Sequence, residues 1–232
     1  MTNAARIAWR EIRWEIFGDR GAVGRMAIFA VLPVLFVLTN RGRANDATIL
    51  VYAMQSALFP ALSGVALIAS TFTQEKENGT LVPLLAAPVR DMDIVVGKLL
   101  GMIGPVLTIC IGSVGLYYVL ASAQYGADRV AAALGPAILF SLVVLAFLYL
   151  LTAGSWVLIV AALVKTSRAG QQIAGLLIGI SVAIFAGLAV LGANVANGWA
   201  LVALGVGLVL SDVVALEVAR RVWRREEVLA RL

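Results

Sequence analysis

Residues 73–98 read Thr73-Gln-Glu-Lys-Glu-Asn-Gly-Thr-Leu-Val-Pro-Leu-Leu-Ala-Ala-Pro-Val-Arg-Asp-Met-Asp-Ile-Val-Val-Gly-Lys98. The stretch interrupts two long apolar runs, at about 47–73 and 94–123, and marks where the chain leaves an apolar medium and re-enters it. Asn78-Gly79 is a turn signal. Thr80 is a good N-cap, and Pro83 falls in the first turn, where a missing N–H does little harm. Pro88 stops the helix. The spacing predicts a helix of about two turns from Leu81 to Ala87, too short to cross a bilayer. It is apolar at Leu81, Val82, Leu84, Leu85 and Ala86, with Glu75 and Glu77 before it and Arg90, Asp91 and Asp93 after it. A greasy helix on a charged loop buries its apolar face either in the lipid interface or in a groove on a partner. The acidic residues oppose an anionic leaflet and favour the partner.

Outward from this loop, the composition fixes the class. Of 232 residues, 62% are hydrophobic and 13% charged, against roughly 45–50% and about 25% in soluble domains. Mean hydropathy is +0.98. So few charges cannot cover that much apolar surface in water, and the chain reads as an integral membrane protein. Uncharged stretches at about 26–40, 47–73, 94–123, 130–164, 169–193 and 197–216 give six expected spans. The first is short and draws on residues before Met26. The stretch at 130–164 is too long for one upright helix, so it is tilted or begins as an interfacial segment.

The net charge of +5 does not indicate nucleic acid, because the basic residues sit beside the spans. With both termini inside, fifteen of the 18 Lys and Arg residues lie on the cytoplasmic side and only Arg41, Arg43 and Arg129 outside. That bias predicts cytoplasmic termini in the cell membrane. Trp199, Tyr117, Tyr118 and Tyr125 then fall near the outer interface and Trp223 near the inner one. More than 20 residues rich in Arg and Glu precede the first apolar run, unlike a cleavable signal. The expected organisation is a cytoplasmic amphipathic segment (1–25), a transmembrane domain (26–216, with the cytoplasmic loop at 74–93) and a basic tail (217–232). On a helical wheel Ala5, Ala8, Trp9, Ile12 and Ile16 share one arc beside Arg6, Arg10 and Arg13. This predicts an interfacial elbow helix orienting the first span, the alternative being a solvated basic flank.

Several chemistries are excluded or weak. Histidine is absent, which removes His-based relays, metal sites and triads. Cys110 is single and reads as packing. No P-loop is present: Gly97-Lys98 is followed by Leu99 and has no glycine five residues before it, so Lys98 reads as a snorkelling lysine at the interface. Asp212 is the one ionisable candidate within a span, expected near the inner interface. Gly97-x-x-x-Gly101 and Gly175-x-x-x-Gly179 permit close helix approach, for a dimer or for internal packing. On span two, Ser56, Ser63 and Ser70 share a face with Tyr52 and Gln55 nearby, and Pro60 lies mid-span. That polar stripe either lines a path or bonds to its own helix backbone.

The string Glu75-x-Glu77-x-Gly79-Thr80-Leu81-x-Pro83-Leu84-Leu85-Ala86-x-Pro88-Val89, followed by Ile94-Val95-x-Gly97-Lys98, resembles the coupling-helix region of type-2 ABC exporter permeases, closest to the sodium- and drug-exporter-like members. Arg10-Glu11-Ile12-Arg13, then Asp19-Arg20 and Pro33, resembles their opening. Val82 departs from the acidic residue many relatives carry, and the short outer connections leave no large extracellular insertion. The resemblance implies an all-α membrane protein of six transmembrane helices, with an N-terminal elbow helix and a short cytoplasmic coupling helix between spans two and three. It implies a dimer of such permeases, homo- or heterodimeric, forming the pathway. A separate ABC ATPase subunit would carry ATP and Mg, with no cofactor on this chain, and would receive Glu75, Glu77, Gly79, Thr80, Leu81, Val82, Pro83, Leu84, Leu85, Ala86 and Ala87. The competing reading is a membrane scaffold or assembly factor recruiting a cytoplasmic partner through the same loop.

Overall fold

The computed structural model describes residues 6–9, 20–39, 45–77, 91–163, 172, 175–176, 179–180 and 199–222. Every element among them is a helix: α1 (Arg20–Thr39), α2 (Asp46–Glu77), α3 (Asp91–Tyr125), α4 (Ala127–Ala133), α5 (Pro136–Leu163) and α6 (Trp199–Val222). A medium without water compels this, because each backbone N–H and C=O must find its partner inside the segment. Four helices contain windows long and apolar enough to cross a membrane, Asp46–Ala66, Val96–Tyr125, Pro136–Val160 and Val202–Ala219, and Met26–Thr39 is a shorter apolar helix. The expected fifth span at 169–193 and the helix at Leu81–Ala87 lie outside the described residues, apart from isolated helical positions such as Gln172 and Leu176.

The boundaries follow local chemistry. Asn45 caps α2: its Oδ1 accepts from the Thr48 N–H at 2.8 Å and the Thr48 hydroxyl at 2.6 Å. Gly126, with φ +94°, ends α3 in a conformation that favours glycine. The long stretch from residue 130 resolves as anticipated, into the short α4, a break at Leu134-Gly135, and then α5 opening on Pro136, where the missing N–H is harmless. The first span does draw on residues before Met26, since α1 begins at Arg20.

Helices α1, α2, α3 and α5 share one core that includes Val37, Ile49, Ala57, Val65, Val106 and Leu150, all buried. Lipid tails are as apolar as these side chains, so close packing and interhelical hydrogen bonds hold the bundle together, not escape from water. Two glycines permit the closest approaches. A Cβ on Gly64 of α2 would stand 2.5 Å from Cγ1 of Val106 on α3, and one on Gly154 of α5 would stand 3.0 Å from Leu99. Gly97 and Gly101, one of the pairs singled out by spacing, are both buried on α3.

One face of α3 is a hydrogen-bonding rail. Ser113 donates to the Ala30 carbonyl at 2.7 Å, Tyr117 to the Ile49 carbonyl at 2.8 Å, and Tyr125 to the Val37 carbonyl at 3.4 Å. The four-residue steps from 113 to 117 and from 121 to 125 keep these side chains on one side of the helix. Their partners show that α1 runs parallel to α3, while Tyr117–Ile49 and Val106–Gly64 make α2 antiparallel to it. At one end the Arg129 guanidinium of α4 meets the Asp46 carboxylate of α2 at 3.0 Å. Both are exposed, so this pair is worth about 0–1 kcal/mol.

Helix α6 packs chiefly on α5. Thr152 approaches the Leu208 carbonyl at 3.4 Å, Trp156 donates from Nε1 to Ser211 Oγ at 3.1 Å, and Ile159 joins Ala215 and Ala219 in a small buried cluster. Residue numbers rise together along both helices, so α5 and α6 are parallel.

One expectation needs correction. Lys98 does not snorkel: it is 0% exposed and already engaged in a polar interaction, and the adjoining Leu99 packs against Gly154. Tyr117 is wholly buried, its hydroxyl donating to the Ile49 carbonyl. In the N-terminal segment Arg6–Trp9 is described, with Ile7 packed against the core and Trp9 exposed.

Replacing Gly64 with Ala should lower the melting temperature of the purified protein, since overpacking costs about 1–3 kcal/mol and outweighs the roughly 1 kcal/mol gained by removing a helical glycine. Gly112→Ala, with open space around the added methyl, should leave it unchanged or slightly raised.

Candidate functional site

Helix α2 has 32 residues, about 48 Å, against roughly 30 Å of hydrocarbon. Its apolar window ends at Ala66, so the last eleven residues, 67–77, carry the helix about 16 Å farther. They change from Leu67-Ile-Ala to Thr73-Gln-Glu-Lys-Glu77. Glu75 and Glu77 therefore stand on a continuous helical overhang. The chain is described again from Asp91, where α3 begins. Gly79, Thr80, Leu81, Val82, Pro83, Leu84, Leu85, Ala86 and Ala87 lie outside the described residues. A helical overhang of mixed charge, joined to a strongly apolar connection and leading back into a second long helix, can transmit force and dock a protein surface.

The polar stripe of α2 occupies the membrane-embedded part of the same helix. Ser56 is fully buried and donates to the Ala53 carbonyl at 2.7 Å; Ser63 is half-buried and donates to the Pro60 carbonyl at 2.7 Å. Pro60 has no N–H, so it removes one rung of the ladder and leaves the Ser56 carbonyl without its usual partner. Neither hydroxyl replaces that rung; each bonds a carbonyl of its own helix three residues back. Tyr52 and Gln55 are half-buried, and the Gln55 Oε1 is buried without a partner. Ser70 lies on the same helix.

A second polar seam joins α5 and α6. Asp212 is 5% exposed and lies seven residues inside the end of its apolar window at Ala219. Its side chain meets Thr152 of α5, and Trp156 of α5 donates to the adjacent Ser211. Its position on the inner half of the last helix was visible in the sequence. Its burial was not, because that depends on which face of α6 meets α5.

Among the described residues no cluster of three or more Cys, Asp or Glu side chains could hold a metal ion between them. The features that stand out are an overhanging helix, a polar stripe and a buried acid, distributed over a bundle pinned by hydroxyl-to-carbonyl bonds. Among protein families, the model for the ABC-2 family transporter protein matches residues 28–205. No curated protein matches the sequence.

Tyr117→Phe should destabilise the bundle by about 0.5–1.5 kcal/mol through loss of the bond to Ile49, whereas Arg129→Ala should change it by no more than about 1 kcal/mol. Thermal unfolding of both variants in detergent checks the ranking.

Proposed function

The chain belongs to the ABC-2 transporter family and is the transmembrane permease component of an ABC transporter; from that premise we propose that it is the permease of an ATP-driven exporter, in the sodium- and drug-exporter-like branch that residues 75–98 resemble. Two copies, or one copy and a related chain, form the pathway in the cell membrane. A separate nucleotide-binding subunit binds ATP and Mg, and the permease itself carries no catalytic group.

Six crossings fit this role. Because α5 and α6 are parallel neighbours, the 35 residues between Leu163 and Trp199 have to bring the chain back to the starting side, which supports a fifth crossing there. With the Lys and Arg bias, the termini, the inner end of α2 and the start of α3 then share the cytoplasmic side. The elbow helix precedes the first span. The observation that carries the reading is the overhang of α2: it places Glu75 and Glu77 well past the apolar window, immediately before the apolar segment Leu81–Ala87. That segment is the coupling helix, which enters a groove on the ATPase, with Glu75 and Glu77 making polar contacts at the rim. Closure of the ATPase dimer moves the inner ends of α2 and α3 together. The pathway borders the stripe of α2 that carries Tyr52, Gln55, Ser56, Ser63 and Ser70.

Leu84→Asp combined with Leu85→Asp should leave membrane insertion intact while weakening ATPase co-purification by about several hundredfold, since each apolar anchor in a groove is worth roughly 2 kcal/mol. Undiminished co-purification removes the loop from the interface. A bound ATPase whose turnover responds to no candidate solute would favour the scaffold reading.

A further inference from the structure

Helix α4 has seven residues, Ala127–Ala133. So short a helix is marginal on its own, and no side chain caps its start at Gly126. One face holds it in place. Val130 is 0% exposed and Leu134, just past its end, is 1% exposed; both belong to the core shared by α1, α2, α3 and α5. The opposite face, with Asp128, Ala131 and Ala132, is exposed.

The joints at both ends of this segment are glycines. Gly126 stands at φ +94°, which turns α4 away from the direction of α3. At the other end Gly135 has nothing within 4 Å of the position of a Cβ, and Pro136 supplies no N–H to carry a hydrogen-bond ladder across the break. Rotation at these two points moves α4 without bending either long helix. The polar tie from α4 to α2 is the contact between Arg129 Nε and Asp46 Oδ1 at 3.0 Å. Asp46 lies in the first turn of α2, at the end opposite Glu77. Because both side chains are exposed, the pair is weak and screened by salt. It steadies α4 without locking it. A short segment that covers buried side chains, is jointed by glycine at both ends and is clasped by a surface ion pair has the makings of an element that opens locally.

We propose that α4 is a strap across the outer end of the bundle. At rest it is closed by Val130, Leu134 and the Arg129–Asp46 pair; when α2 moves in the transport cycle, the pair parts and α4 swings on Gly126 and Gly135. The swing uncovers Val130 and Leu134 and frees the outer end of α2 from α4. This rests on the reading of the chain as an ATP-driven permease, which supplies both the outer side and the movement of α2. The weakness of the clasp suits the task, since a strong one would hold α2 against the motor.

The test measures the reaction of single cysteines with a water-soluble maleimide, in the full chain in lipid nanodiscs. The native thiol, buried Cys110, is removed by Cys110→Ala. At rest Val130→Cys should react at least about tenfold more slowly than Ala132→Cys on the exposed face; Leu134→Cys takes its place should Val130→Cys fail to fold. Asp46→Asn and Arg129→Gln should each quicken the Val130→Cys reaction about two- to fivefold, and Arg129→Lys should keep it slow. Raising NaCl to about 0.5 M should quicken it only where the ion pair is intact. In the complex with the ATPase, ATP and Mg should quicken it as well. Equal reactivity of Val130→Cys and Ala132→Cys at rest, indifference to both Asp46→Asn and Arg129→Gln, or an unchanged rate in the ATPase complex under turnover would each overturn the proposal. The resting measurements need this chain alone: absence of a co-purifying ATPase strikes the permease reading, while they decide the strap.

Discussion

The bundle depends on giving every strong hydrogen-bonding group a partner where water is absent, and α3 supplies the cross-links. Ser113, Tyr117 and Tyr125 reach from one face of α3 to carbonyls of α1 and α2. In water such bonds would compete with solvent and add little. In an apolar medium they fix register, because sliding α3 by one residue would withdraw all three hydroxyls together.

The helices were legible in the sequence because hydropathy alone defines them: the runs near 47–73 and 94–123 became α2 and α3, and the overlong run at 130–164 broke where Gly135-Pro136 permits. What stayed hidden depends on rotation about a helix axis. Lys98 and Asp212 both sit toward span ends, where a charged side chain ordinarily reaches for water, yet both face neighbouring helices. Tyr117 and Tyr118 are adjacent in sequence, but only Tyr117 points at α2. The close-approach glycines were equally obscure. With 22 glycines in the chain, spacing cannot single out Gly64 or Gly154; only the positions of Val106 and Leu99 do.

The polar groups divide between opposite ends of the fold. Near the start of α2, exposed Asp46 and Arg129 join α2 to α4 by a weak contact. Toward the other end, Lys98 and Asp212 are buried and α2 runs on past the apolar region. The loosely tied end and the densely committed end are therefore different, and the second is the one adjoining the loop that the family resemblance assigns to docking.

Helix α2 is continuous from Asp46 to Glu77, with Pro60 near its middle. Mechanically it is a lever about 48 Å long with a soft fulcrum. A tilt of about 5° about that point displaces each tip by about 2 Å in opposite directions. A small shove at the acidic tip would thus be delivered at the far tip with its sense reversed, beside the exposed Arg129–Asp46 pair.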